Sequence, residues 1–538
     1  MSAWYRLFSS RVGLPAPVVA KVSCDRDVRI PLADGTETLA DHWKPVAPGN
    51  APLVLIRTPY GRKLFNLLVG RHLAHQGFQV VIQASRGTDG SAGRFENPFA
   101  CEIEDGAATV RWLVEQPWYP GRFFTFGDSY LGYTQLALAT SAGDHLAGSV
   151  LRVAPSSVHR MIWPGDALLV KAIVSWGLMA HRDPRLNLKG LVRGKLQDKK
   201  IDAACQGAPI TSAYRALSDG PIPFLEDWLT HPTNDDGWWD SSEVGDALDA
   251  ITCPVLVQGG WYDLFLDDSL MQYRRLAARG VPVELQLGPW THGDMLTKGL
   301  AATLTDATAF LRDLAGLETR PATKPVRLLE INSKRAVHLE SWTAPVARET
   351  TYHLASGGRL SDEPGEGATS FRYDPADPTP RVGGASNDDA SGCKDNTALE
   401  SRADVVTFTS EPLPEQTRLL GAPVVDLTVS SDRTDTAVFV RLCEVTAEGK
   451  SMNVTDRLVT LHAKDRDAVG RWQVEVALPE TCISIDKGHR LRLQVSSGAF
   501  PRFARHPGTA EPASTASTFH PAAQTVHHTS TLRVPVSA

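Results

Sequence analysis

Four short, almost wholly apolar runs, separated by stretches of helical spacing, set the first constraint on this chain. They are Pro52-Leu53-Val54-Leu55-Ile56, Gly77 to Gln83, Phe123 to Phe126 and Ser149 to Val153, with helical candidates at Cys101 to Glu115 and Tyr133 to Thr140. Strands that are apolar on both sides must be covered on both faces, so the pattern predicts an α/β fold with a parallel sheet. From about Ser156 to Asp249 helical spacing and tryptophans take over, which reads as an inserted, mostly helical segment. Strand candidates return at Cys253 to Gln258 and Val281 to Leu287, with a helix at Ser269 to Arg279 between them. Beyond about Pro345 the runs are short, alternating and turn-bounded, as at Val424 to Val429 and Leu491 to Val495, and predict a β-sandwich. The polar stretch Gly383 to Asn396 reads as a long surface loop. The expected division is 1–155 and 250–345 for the α/β part, 156–249 for the insertion and 346–538 for the β domain.

Within this frame, FFTFGDSYLGYTQ (Phe123 to Gln135) runs strand, tight turn, helix, with Ser129 on the turn. A serine so placed is lifted clear of the backbone at the edge of the sheet. Its hydroxyl is a poor nucleophile alone and needs a base, plus a carboxylate to orient that base. In α/β-hydrolases the acid and then the histidine follow the serine in the chain. Asp263, in Gly259-Gly260-Trp261-Tyr262-Asp263, and His292, in Gly288-Pro289-Trp290-Thr291-His292, each lie just past an apolar strand. A parallel sheet carries its chemistry at such strand ends. Asp267 and Asp268 rival Asp263, although both fall where Asp stabilises a helix start. His159 and His231 rival His292. An oxyanion needs donors. The Tyr130 N–H is one by position, and Tyr60 in Arg57-Thr58-Pro59-Tyr60-Gly61 is either a second donor or a packed aromatic beside a proline turn.

Other classes fit poorly. A net charge of −6 without a basic tract excludes nucleic acid as a natural partner. The glycine-rich loop Gly87 to Gly93 lacks the Lys-Ser/Thr pair of a phosphate loop. No metal-binding or cofactor motif is present, so no cofactor is expected. Seven scattered cysteines without a Cys-x-x-Cys pair, no apolar stretch of secretory length and no membrane-length run predict a cytoplasmic protein. The expected partner is a small-molecule ester. The sequence fixes no oligomeric state, and a homo-oligomer is compatible with it.

The runs VIQASRGTDGSAGRF, EDGAATVRWLVEQPW and FGDSYLG, then GGWYDLF and GPWTHG, with RTPYGR upstream, resemble the cocaine esterase and X-prolyl dipeptidyl aminopeptidase group of serine hydrolases. The similarity continues through SEPLPEQTRLLGAPVVDLTVSSD and LRLQVSSGAFPRF, so it spans roughly residues 25 to 535. It implies an α/β-hydrolase domain, an inserted helical cap and a C-terminal jelly roll. It implies Ser129 as nucleophile, His292 as general base and then acid, Asp263 as the orienting carboxylate, and Tyr60 with the Tyr130 amide as the oxyanion hole. Trp163, Trp176 and Phe265 become the candidate pocket walls. Two positions stand out. Ala84 replaces an aspartate usual in the group, and Asp128, beside the nucleophile, reads as a solvated charge that could raise the His292 pKa. The implied activity is a carboxylesterase for small hydrophobic or aromatic acyl groups. The alternatives are an amidase, acylase or X-prolyl dipeptidyl aminopeptidase and, in another class, a non-catalytic binding protein.

Overall fold

The computed structural model of the protein describes residues 9–46, 50–63, 65–182, 188–342 and 348–537. The expected boundary between 345 and 346 lies outside them. A ten-stranded sheet organises the first part. Its strands are β1 (Val22–Pro31), β2 (Glu37–Pro45), β3 (Leu53–Thr58), β4 (Gln79–Ala84), β5 (Phe123–Asp128), β6 (Leu146–Arg152), β7 (Val255–Tyr262), β8 (Val283–Thr291), β9 (Val326–Leu329) and β10 (Ala336–Leu339). The spatial order is β1-β2-β4-β3-β5-β6-β7-β8-β9-β10. Pairing is parallel from β4 through β9 and antiparallel at both edges. Every residue of β3, β4 and β5 is buried, as continuous apolar runs require. The six expected interior strands are therefore present as an α/β-hydrolase sheet.

The outer antiparallel strands escaped the sequence reading for a physical reason. β1 is the sheet edge, half exposed and studded with Asp25, Arg26, Asp27 and Arg29, and charge on an edge prevents pairing with other chains.

Between β6 and β7 lie the helices Val170–Arg182, Leu188–Cys205, Ile210–Ser218 and Pro223–Thr230. Val170, Ile173, Val174 and Leu178 give the first of them a buried apolar stripe. Gly177 lets it approach Leu225 of the last, since a Cβ there would stand 2.8 Å from Leu225 Cδ2.

From Arg348 onward the chain is a thirteen-stranded β domain. Val424–Ser431 alternates buried with half-buried residues, whereas Thr436–Val445 is buried throughout. The stretch Gly383 to Asn396 is a loop with Asp389, Ala390 and Lys394 exposed, as expected, but it is anchored at several points. Arg441 Nη1 donates to Val382 O at 2.6 Å, Lys394 N donates to Asn453 Oδ1 at 2.7 Å, and Arg381 pairs with Asp388 at 2.7 Å. These contacts bind the loop across the β domain and carry its tip toward the hydrolase sheet. Among the described residues no helix is long and apolar enough to cross a membrane.

The turn at Ser129 depends on two glycines. A Cβ on Gly127 would sit 2.3 Å from Leu131 Cβ, and one on Gly132 would sit 2.4 Å from Ala154 Cβ. Gly132→Ala is expected to destabilise the protein by about 1–3 kcal/mol through overpacking, read as a fall in thermal midpoint. Gly245→Ala, whose Cβ would meet nothing nearer than Ser156 O at 3.8 Å, is the control and should leave the midpoint unchanged.

Candidate active site

β5 ends at Asp128, and the helix Tyr130–Ala142 begins two residues later. Ser129 bridges them at φ 57°, a left-handed conformation that a non-glycine residue holds only where its surroundings enforce it. Its N–H donates to Arg152 O at 2.9 Å, and its carbonyl accepts from Gly132 N at 2.8 Å and Tyr133 N at 3.0 Å. The hydroxyl therefore stands at the C-terminal edge of the sheet, over the helix N-terminus. Tyr130 is the first helical residue, so its N–H has no acceptor within the helix and is available to a ligand.

Asp263 and His292 follow β7 and β8 directly. The two strands bulge apart in register between Gly260 and Tyr262. A Cβ on Gly260 would stand 2.2 Å from Trp290 O, so only glycine permits the approach that brings these strand ends together. Asp263 Oδ1 accepts from Phe265 N at 2.7 Å, and Oδ2 lies 2.7 Å from His292 Nδ1. The carboxylate thus fixes the Nδ1–H tautomer and leaves Nε2 as the working nitrogen. His292 and Ser129 line one pocket without being hydrogen-bonded to each other, a contact that commonly tightens only on substrate binding. Burial pulls the His292 pKa down, but Asp263 and Asp128 outweigh it and hold the pKa above the ordinary histidine value.

The loop after β3 brings Tyr60 to the same pocket, its N–H turned onto Thr58 Oγ1 at 3.1 Å. The indole N–H of Trp176 donates to the Tyr60 hydroxyl at 3.0 Å. An indole N–H can only donate, so the phenol oxygen is the acceptor and its own proton remains free for another group. Burial pushes the Tyr60 pKa up to about 12, which keeps that proton in place at any ordinary pH. Beneath this layer, a buried Arg57–Glu102 ion pair of 2.6 Å holds the Tyr130 side chain, whose hydroxyl donates to Glu102 Oε1 at 3.0 Å.

The pocket over Ser129 is narrow, about 60 Å³. Trp176 of the insertion and Phe265, which follows β7, line it, and the Phe265 ring meets His292 edge-on at 5.3 Å. Trp163 does not line it. Its indole N–H donates to Trp228 O at 2.9 Å, and the residue borders a separate cleft between the helical insertion and the β domain. Phe99, Met161, Leu169, Ile173 and Leu264 are further walls, and Asn387 reaches the pocket from the β domain. Phe99 at φ 74° is another strained non-glycine residue against Tyr130, ring centroids 4.5 Å apart, and nothing in its local sequence signals this. Among the described residues, no group of three His, Cys, Asp or Glu side chains could hold a metal ion.

The rival residues have other work. Asp268 is buried, accepts from Ser156 N and pairs with Arg160, both at 3.1 Å, while Asp267 pairs with Arg457 at 2.8 Å. His159 Nε2 bonds Pro232 O at 2.9 Å, and His231 stacks on Trp238. Asp128 is not solvated as expected. It is buried and lies 2.6 Å from Nε of the buried Arg152. Ala84 leaves no contact missing at Arg86, because Asp105, at 2.6 and 3.0 Å, and Asp34 hold the guanidinium instead.

The X-Pro dipeptidyl-peptidase (S15 family) domain matches residues 34–294, and the X-Pro dipeptidyl-peptidase C-terminal non-catalytic domain matches residues 320–533. Cocaine esterase of Rhodococcus sp. (strain MB1 Bresler) is 28% identical over 90% of this chain and 92% of its own. An aminopeptidase from a marine-sediment Thaumarchaeota archaeon shares the fold, with a TM-score of 0.80 at 22% identity over 97% of this chain and 98% of that one. An α-amino acid ester hydrolase also has a TM-score of 0.80, at 21% identity over 97% and 98%. Matched by the first of these domains over residues 34–294 and by the second over residues 320–533, the chain is a serine hydrolase of the cocaine esterase and X-prolyl dipeptidyl aminopeptidase group.

Proposed function

We propose that the protein is a carboxylesterase for small hydrophobic or aromatic acyl groups, acting through an acyl-enzyme on Ser129. One observation carries the choice among the family's chemistries. Among the described residues no Asp or Glu lines the pocket, whose walls are otherwise aromatic and aliphatic apart from Asn387 and the reacting groups. A substrate ammonium buried there would lack a counter-charge, which disfavours amino-terminal peptides and α-amino esters. An apolar acyl group against Trp176 and Phe265 has no such penalty. The absence of any disulfide among the seven cysteines suits a reducing cytoplasm.

The geometry supports the following course. Ser129 Oγ attacks the ester carbonyl while His292 Nε2 takes its proton. Asp263 stabilises the resulting imidazolium through Nδ1 without itself being protonated. The carbonyl oxygen becomes an oxyanion and accepts from the free Tyr60 hydroxyl proton and the Tyr130 N–H. His292 then returns the proton to the leaving alkoxide, and the alcohol departs. Water enters by the same route in reverse and releases the acid.

Ser129→Ala is expected to abolish turnover of nitrophenyl esters and covalent labelling by a fluorophosphonate. Retained turnover would refute the nucleophile assignment. Tyr60→Phe should lower kcat by roughly 10²–10³ with the fold intact, as removal of one oxyanion donor does. His292 must be neutral in the free enzyme to accept the proton, and its pKa is raised. The kcat/KM profile should therefore rise with pH through a midpoint above the ordinary histidine value of about 6.5. A midpoint below it would contradict the assignment. Xaa-Pro anilides cleaved faster than nitrophenyl esters would replace the esterase reading with a peptidase one.

A further inference from the structure

The buried Asp128–Arg152 couple has no part in the reaction course above. Both residues close their strands, and the register of β5 against β6 sets them opposite each other. Arg152 is fully buried and Asp128 is 8% exposed. Taking two charges out of water costs free energy that a well-packed apolar pair would not, so the couple is a poor device for stability alone.

Its contacts suggest another purpose. Arg152 O accepts from Ser129 N at 2.9 Å, and Arg152 Nε lies 2.6 Å from Asp128 Oδ1. Arg152 Nη2 donates to Thr303 Oγ1 at 2.9 Å and to Met295 O at 3.3 Å. Met295 belongs to the turn Gly293–Leu296 that directly follows His292. The guanidinium also lies over the Phe126 ring of β5, 5.2 Å from its centroid. One side chain therefore holds both the residue before the nucleophile and the turn after the base.

We propose that Arg152 and Asp128 are a positioning pair for this site, with the Arg152 guanidinium, held on Asp128, bracing the Ser129 turn against the His292 turn. The inference rests on the hydrolase reading. Proton transfer within the site requires the Ser129 turn and the His292 turn to keep their spacing, and a buried guanidinium tied to Asp128 on one side and to Met295 O and Thr303 Oγ1 on the other resists their separation.

The full chain and a nitrophenyl ester test this. Arg152→Met should lower kcat by roughly tenfold or more with KM nearly unchanged, and Arg152→Lys should recover part of the loss. Parent-like kcat in Arg152→Met overturns the brace. This change strands the buried Asp128 charge and could prevent folding. In that event the double variant Asp128→Leu/Arg152→Met is decisive. Lowered kcat with KM nearly unchanged supports the pair, and parent-like kcat overturns it. Ester turnover that survives Ser129→Ala would instead remove the hydrolase reading itself. Turnover that depends on Ser129, with pair variants indistinguishable from the parent, would remove only this inference.

Discussion

The whole site depends on a serine backbone held at a positive φ. A non-glycine residue in that region stores on the order of 1–3 kcal/mol of strain and stays there only when its neighbours leave no alternative. Here three constraints act together. Gly127 and Gly132 allow strand and helix to approach until no side chain would fit between them. The Ser129 N–H is tied across to Arg152 O, and the Ser129 carbonyl caps the first turn of the helix through Gly132 and Tyr133. If any of these yields, the backbone can leave its strained φ, and the Ser129 hydroxyl and the Tyr130 N–H lose their common placement. The proposed nucleophile and the proposed oxyanion donor are thus set by one backbone turn.

Buried ion pairs recur around this turn, and each joins elements that must not slide. Arg57 and Glu102 link the end of β3 to the helix that supports Tyr130. Asp128 and Arg152 link β5 and β6. In the β domain Asp456 lies between Arg441, at 2.8 Å, and Arg502, beneath the loop that delivers Asn387 to the pocket. Charges placed this way stabilise little once desolvation is counted, but they tolerate almost no displacement, because a stretched pair leaves a bare charge in a dry interior. They favour geometry over stability, which is what a site assembled from four strand ends and a remote loop requires.

The sequence was legible where structure is local. Interior parallel strands are buried on both faces, so β3, β4 and β5 show as unbroken apolar runs, and Ser129, Asp263 and His292 are found by standing just past such runs. It was illegible where partners meet across the sheet or between domains. Asp128 reads as a solvated acid because its counter-ion lies a helix and a strand away, and only the β5–β6 register brings Arg152 opposite. Trp163 and Trp176 are equivalent as aromatic residues of the insertion. Their roles diverge because one indole N–H meets Trp228 O and the other meets Tyr60. The Gly383 to Asn396 segment has the composition of a solvated loop, and nothing within it reveals the Arg441 and Asn453 side chains that hold it down.

Trp176 stands at once in the pocket wall and beside Tyr60. Its ring lines the pocket over Ser129, stacked on Tyr130 at 6.2 Å and 15° and on Trp228 at 5.5 Å and 23°. Its N–H is also the donor that occupies the Tyr60 oxygen and thereby turns the phenol proton outward. In the proposed reaction, an acyl group packed against the indole would press on the same ring whose N–H holds the Tyr60 oxygen. A poor fit that rocked the ring would then disturb the Tyr60 hydroxyl as well as binding. On that reading, binding energy from a part of the substrate remote from the reacting carbonyl would reach the transition state through two side chains and a single hydrogen bond.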